Sequence, residues 1–273
     1  MSAATIEARG VGVHTDMTDA EYFAHPALSH SDCKLILDSP ARYRHAKDNP
    51  SSSKPTDDMI FGTAVHSIAL GGPGVVRIPF DDYRSKDARD ARDEALAAGQ
   101  VPLKPAEYDE AKACADAIRL HPRAKQLLDL ADHLEVSAVW DDGDVQRRAK
   151  LDAVAGRFGI DLKTAANADT DAFAASVAKF GYWTQDPYYR DAMRAVFGID
   201  DPAFLFIVVE KRAPYLVNVI QLEEYAVELG AQRNRRAIDL YRECRDSDTW
   251  PGYGDGINEV TLPAWAAIQE ENQ

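Results

Sequence analysis

The sequence predicts an α/β protein, a central mixed sheet flanked by helices with a helical N-terminal elaboration. Three observations predict it. Strand-like runs follow one another at 134–140, 145–154 and 157–163, joined by the tight turns Asp141–Asp144 and Ala155–Gly156. The run AFLFIVVE at 203–210 is apolar on both faces, as a strand covered from both sides must be. Helical periodicity brackets these runs on either side.

The elements are read in order along the chain. Residues 1–27 are polar and read as an irregular segment with a turn at His25–Pro26. Ser29 or Ser31 can cap a helix through Leu35, Ile36 and Leu37 that stops at Ser39–Pro40, and ARYRHAK forms a second segment. NPSSSKPTDD (49–58) has the composition of a loop. Met59 to Leu70 is apolar enough for a buried helix carrying His66, and GGPG at 71–74 breaks it. Residues 81–100, charged and alanine-rich, read as helix or disordered connector. From Pro105, Tyr108, Ala111, Ala115 and Ile118 recur at roughly helical spacing. His121–Pro122 interrupts the pattern, which resumes through Leu127, Leu128 and Leu130. After the three strands, one helix is expected from Asp171 to Phe197, with Pro187 as a candidate kink. Tyr215–Gln221 should pair with 203–210 through the Lys211–Pro214 turn, and a last helix spans about 222–245. This layout gives a single domain over 1–273, with 28–130 mainly helical and 131–273 forming the sheet core and closing helix.

Composition sets outer limits. A chain of 273 residues can bury a sizeable core, and 45% hydrophobic with 28% charged residues is ordinary for a globular protein. No apolar run approaches the ~20 residues a membrane-spanning helix needs. The first residues, MSAATIEARGVG, lack the basic-then-apolar layout of a secretory signal. Cys33, Cys114 and Cys244 are scattered without metal-ligand spacing, and read as reduced thiols of a cytoplasmic protein.

The chemistry concentrates between Glu135 and Tyr189. LEVSAVW, AKLDAV, GIDLKT and QDPYY place Glu135, Asp152, Asp161 and Lys163 in otherwise apolar, strand-like surroundings, where unpaired charge is costly. Acids at the ends of adjacent strands, with a lysine two residues after the last, suit a divalent cation beside a phosphodiester. Taken singly, each residue has a plainer reading: strand-end surface acids, a lysine in a structural ion pair, a core histidine, a tyrosine packed on a helix. The ordered set is more specific. Asp152 followed by Asp161-Leu162-Lys163 resembles the PD-(D/E)XK nuclease signature, and Gln185-x-x-x-Tyr189 is similar to the motif that follows it in RecB-like exonucleases. GTAVHS places His66 where these enzymes often carry a histidine. LSHSDCKLILDSPARYRH, YWTQDPYYRDAM and TWPGYGDGINEVTLPAWA extend the likeness to RecE-type (exonuclease VIII) nuclease domains, over most of the chain from about Leu28.

The resemblance implies a metal-dependent exonuclease on linear double-stranded DNA, digesting the 5′-ended strand and leaving a 3′ tail for phage-type recombination. Its implied metal ligands are His66, Glu135, Asp152, Asp161 and the Leu162 carbonyl, for Mg²⁺ with Mn²⁺ as substitute. Lys163 would stabilise charge at the scissile phosphate, Glu135 could also position the attacking water, and Gln185 with Tyr189 would order the site and contact DNA. A RecT-type annealing protein and a ring-shaped homo-oligomer are the implied partners. Ser29, Ser31, Lys34 and Arg42 could cradle a 5′ phosphate at a helix N-terminus. The net charge of −14 opposes DNA binding unless cations are gathered locally. Strand alternation puts Arg148, Lys150, Asp152 and Val154 on one face, with Arg147 on the other, which makes Arg148 and Lys150 the preferred DNA contacts. Arg233, Arg235 and Arg236 are the competing basic cluster. An inactive DNA-binding scaffold and a related endonuclease remain as alternatives. An iron–sulfur nuclease does not, because three scattered cysteines cannot supply four ligands.

Overall fold

The computed structural model describes residues 9–49, 55–72 and 74–264. The segment read as irregular contains two elements, β1 (Gly12–His14) and α1 (Asp19–Ala24). The signal for α1 was in the sequence: Thr18 and Glu21 form a reciprocal capping box that satisfies two end amides. Then come β2 (Leu28–Ser29), α2 (His30–Asp38) and α3 (Pro40–Asp48). Ser29 rather than Ser31 caps α2, and Ser39 caps α3 with Pro40 in its first turn. Residues 50–54 of the 49–58 loop, residues 1–8 and the last residues of the TWPGYGDGINEVTLPAWA stretch lie outside the described residues.

Next, α4 (Asp57–Leu70) ends on Gly71, whose φ of +83° closes the helix as glycine readily does. β3 (Val75–Arg77) and β4 (Val101–Leu103) make a small parallel pair around α5 (Lys86–Ala97). α6 (Pro105–Leu120) and α7 (Pro122–Asp129) are split at His121–Pro122 as the sequence indicates. The three expected strands are β5 (His133–Asp142), β6 (Val145–Ala155) and β7 (Phe158–Ala165).

The single helix expected over 171–197 is two helices, α8 (Thr170–Phe180) and α9 (Tyr182–Phe197). The break is Gly181 at φ +75°, not Pro187, which sits inside α9. Pro187 has no N–H to give the Trp183 carbonyl. That carbonyl instead faces α10 (Glu224–Ser247) at Gly230, where an added Cβ would stand 1.9 Å from the oxygen. Asn234 of α10 donates to the neighbouring Thr184 carbonyl at 2.7 Å. β8 (Ala203–Glu210) and β9 (Val217–Ile220) precede α10.

The main sheet runs β1-β5-β6-β7-β8-β9, antiparallel except for β7 beside β8, with β2 pairing parallel to β6. β8 shows why its sequence does not alternate. Leu205, Ile207 and Val209 pack with α4 and α6, while Phe204, Phe206 and Val208 pack with Phe173 of α8. Burying each such side chain is worth about 2–3 kcal/mol. On the second face, Val136, Ala138 and Leu151 meet α2, α9 and α10.

Two features of the sheet create a cleft. β6 pairs with β7 only from Ala153 to Ala155, and with β2 only at Arg147 and Arg148, so the edge of β6 between them lies open. Alternation also reverses there. Ala149 and Leu151 belong to the second-face core, whereas Ala153 and Ala155 belong to the first. Across from this point Glu135 has φ +50°, a left-handed conformation rare inside a strand. Val154 accordingly packs in the second-face core and does not share the cleft with Arg148, Lys150 and Asp152, as simple alternation had it.

Candidate metal centre

The fork between β6 and β7 gathers the acids. Glu135 lies opposite Asp152 in the antiparallel register set by Leu134–Ala153 and Val136–Leu151. α4 crosses this edge and delivers His66, whose Nδ1 is 3.4 Å from Asp152 Oδ2. One ligand atom each from His66, Glu135 and Asp152 falls within 4.8 Å of the others, and all three side chains are half-buried. Asp152 Oδ2 also accepts from the Leu162 amide at 2.7 Å, in place of the ladder bond lost where the strands part. A residue in a strand directs its N–H and C=O to the same edge, so the Leu162 carbonyl faces the fork as well.

Asp161 and Lys163 lie two apart on β7 and share a face. Asp161 stands outside the three-residue cluster. Its Oδ1 accepts from Gln185 Nε2 at 2.6 Å, and Lys163 Nζ is 2.6 Å from Oδ2. That contact is an ion pair off the line of a hydrogen bond, so the buried Oδ2 has no aligned donor. Lys163 also sits 4.5 Å above the Tyr182 ring. Gln185 and Tyr189 share one face of α9 and line the same cavity of about 480 Å³.

Electrostatics follow from this packing. Burial pushes the Asp152 carboxyl up to about 6, reinforced by Asp161 and Glu135 and opposed by His66 and Lys163. Burial opposes the Lys163 ammonium, yet the Asp161 carboxylate outweighs it and holds the pKa above the ordinary lysine value. Burial raises the Tyr189 phenol well above its usual range.

The donor set fits a hard divalent cation. Carboxylate oxygens of Glu135 and Asp152 and the imidazole of His66 converge, with the Asp161–Lys163 ion pair on the adjacent strand.

The other expected residues separate. Lys150 reaches Glu135 (3.3 Å) and Asp19 of α1 (2.6 Å), and so borders the His66–Glu135–Asp152 cluster. Ser29 is buried in a capping box with Asp32, which leaves it no free hydroxyl for a phosphate. Ser31 and Lys34 line the same cavity as Gln185 and Tyr189, with Lys34 donating to the Phe180 carbonyl at 2.8 Å. Arg42 is directed elsewhere, to Asp38 and the Tyr253 hydroxyl. Arg148 is a correction. The residue is 3% exposed and its guanidinium donates to the His25 and Ala27 carbonyls, so it pins the N-terminal segment and does not offer a free charge. Arg147 is likewise buried, between Trp140 and Tyr188. In the competing cluster, Arg235 pairs with Asp142 and Arg233 lies over Trp183. Sequence reasoning missed Asp19, Phe23 and His30 at the cavities. His30 Nε2 lies 2.7 Å from Thr184 Oγ1, and burial, with Lys34, Lys163 and Arg147 adding, pushes its pKa down to about 3.

A mixed sheet that forks beside an Asp, a second Asp and a lysine on adjacent strands defines the PD-(D/E)XK nuclease fold. The chain belongs to the family described as a PDDEXK-like domain of unknown function (DUF3799), whose model matches residues 29–263. The RecE-type resemblance read from the motifs agrees with this membership. No curated protein matches the chain by sequence. A crystal structure from Eubacterium rectale, provisionally described as an exonuclease, aligns over 89% of this chain and 94% of its own, with a TM-score of 0.55 at 13% identity. An alkaline exonuclease from Laribacter hongkongensis aligns over 68% of this chain and 96% of its own, at 13% identity and a TM-score of 0.27. At these identities the first likeness speaks to the fold, and the second carries no further weight.

Proposed function

We propose that the chain is a divalent-metal-dependent exonuclease on linear double-stranded DNA that digests the 5′-ended strand and leaves a 3′ tail. The observation that carries this reading is the convergence of His66, Glu135 and Asp152 within 4.8 Å, beside the Asp161–Lys163 pair. His66, Glu135 and Asp152 would hold Mg²⁺ or Mn²⁺, with Asp161 and the Leu162 carbonyl flanking them. The bound cation would supply Lewis-acid polarisation of a phosphoryl oxygen. Lys163 places a compact ammonium where negative charge develops at phosphorus, and Asp161 keeps that ammonium protonated. Gln185 holds the Asp161 carboxylate in one orientation, and the Tyr182 ring confines the lysine. The 3′ tail would pass to a RecT-type annealing protein, and a ring of like subunits would keep the enzyme on its DNA.

End-labelled linear duplex tests the reading, with a covalently closed circle alongside. The linear substrate should be degraded with Mg²⁺ or Mn²⁺ and spared in chelator, while the circle survives. Circle degradation at a comparable rate would make the protein an endonuclease. Asp152→Asn and Lys163→Ala should each slow cleavage by about 10²-fold or more. Only Asp152→Asn should also weaken Mn²⁺ binding in calorimetry.

A further inference from the structure

Lys150 reaches across the mouth of the metal cluster in a way that neither the motif nor the family description assigns. Its Nζ lies 2.6 Å from Asp19 Oδ1 and 3.3 Å from Glu135 Oε2. Glu135 also offers an oxygen to the His66–Asp152 cluster, so one carboxylate faces two centres of positive charge. In two-metal phosphoryl-transfer sites the two ions sit about 3.5–4 Å apart and act as a clamp on the reacting oxygens. We propose that the Lys150 ammonium occupies the second of these places, so that the site is built to take one divalent cation. This inference rests on the nuclease reading above.

Charge and anchoring both favour it. At the cluster itself the two carboxylates, Glu135 and Asp152, carry two negative charges, and Lys150 already adjoins one of them. A single divalent cation neutralises that pair. A second one would bring an excess of positive charge into a partly enclosed site, where such excess is costly. Lys150 is two residues before Asp152 on β6, and its position opposite Ser137 in the β5–β6 ladder fixes its backbone. Its side chain is only 26% exposed, so the ammonium is delivered by the sheet and not captured from solution. Asp19 comes from α1, which the Thr18 capping box and the Arg148 contacts to His25 and Ala27 hold in place.

Mn²⁺ binding to the whole chain, followed by calorimetry and electron paramagnetic resonance, tests this without any turnover. The parent should bind one Mn²⁺, and Lys150→Arg, which keeps the charge, should also bind one. Lys150→Met keeps the aliphatic stem and removes the charge. It should bind two, with a spin-coupled signal from the neighbouring ions. Lys150→Gln supplies the same comparison should the methionine variant not fold. Two ions in the parent, or one in both uncharged variants, would overturn the role given to Lys150 and leave the nuclease reading standing. No ion in the parent would overturn both.

Discussion

At the scale of single residues, basic side chains have opposite uses here depending on their neighbours. Lys163 keeps an accessible ammonium beside the acids because Asp161 offsets its burial. Arg148, fifteen residues earlier and expected to meet DNA, is closed in under the N-terminal segment, with its Nε unpartnered. A buried guanidinium that satisfies two carbonyls is structural, because its removal strands both acceptors. Arg148→Ala should therefore lower unfolding free energy by about 2–4 kcal/mol, read as a shift of the urea midpoint. The salt dependence of DNA affinity in the folded protein should stay as in the parent. A variant of parental stability with a flattened salt slope would restore Arg148 as a DNA contact.

At the scale of elements, the junctions matter more than the helices and strands they join. α8 and α9 are separate because Gly181 adopts a left-handed backbone, and this turn brings Tyr182 over Lys163 and Gln185 onto Asp161. α10 then closes on α9 at Gly230, against the carbonyl that Pro187 leaves without its helical partner. In an exposed helix, Gly→Ala stabilises by about 0.4–1 kcal/mol through the unfolded chain. At Gly230 the sign should reverse, because the new methyl group meets main chain that cannot swing aside. Gly230→Ala should cost about 1–3 kcal/mol, visible as a lowered midpoint of thermal unfolding. A raised midpoint would show that α10 does not pack this closely.

At the scale of the whole molecule, a charge of −14 coexists with a cation-lined cleft because outer arginines are committed to carboxylates. Arg242 and Arg245 bind Asp144, and Arg44 binds Asp48. Among the described residues, no helix is long and apolar enough to cross a membrane. Global stability should carry a pH signature from Asp186, which is fully buried beside Arg190. Burial pushes its carboxyl up to about 6, with Arg190 pulling the other way. Below about pH 4 both the folded and unfolded chains hold this proton. As pH rises from there to about 6, the unfolded chain releases it first, so stability falls, and above that window the loss is complete. The contribution is on the order of 3 kcal/mol. Asp186→Asn should flatten this part of the profile in denaturant titrations between pH 4 and 7. An unchanged slope in the variant would assign the dependence to other groups.

Local chemistry alone determined the order of strands and helices in the core half of the chain. Alternation and turn residues are short-range signals, and β5 to β8 fall within a few residues of where they were expected. The pairing of Asp161 with Lys163 was legible for the same reason, since residues two apart on a strand share a face. Tertiary structure decided what those signals cannot carry. Alternation reverses at Asp152 because Glu135, on another strand, takes a left-handed backbone and the ladder to β7 opens there. His66 joins the acids only because α4 crosses that opening, and Asp19 only because Arg148 draws the N-terminal segment across β6. Each of these depends on partners in other elements, and no periodicity within one segment records which distant charge will be buried and which left facing the cleft.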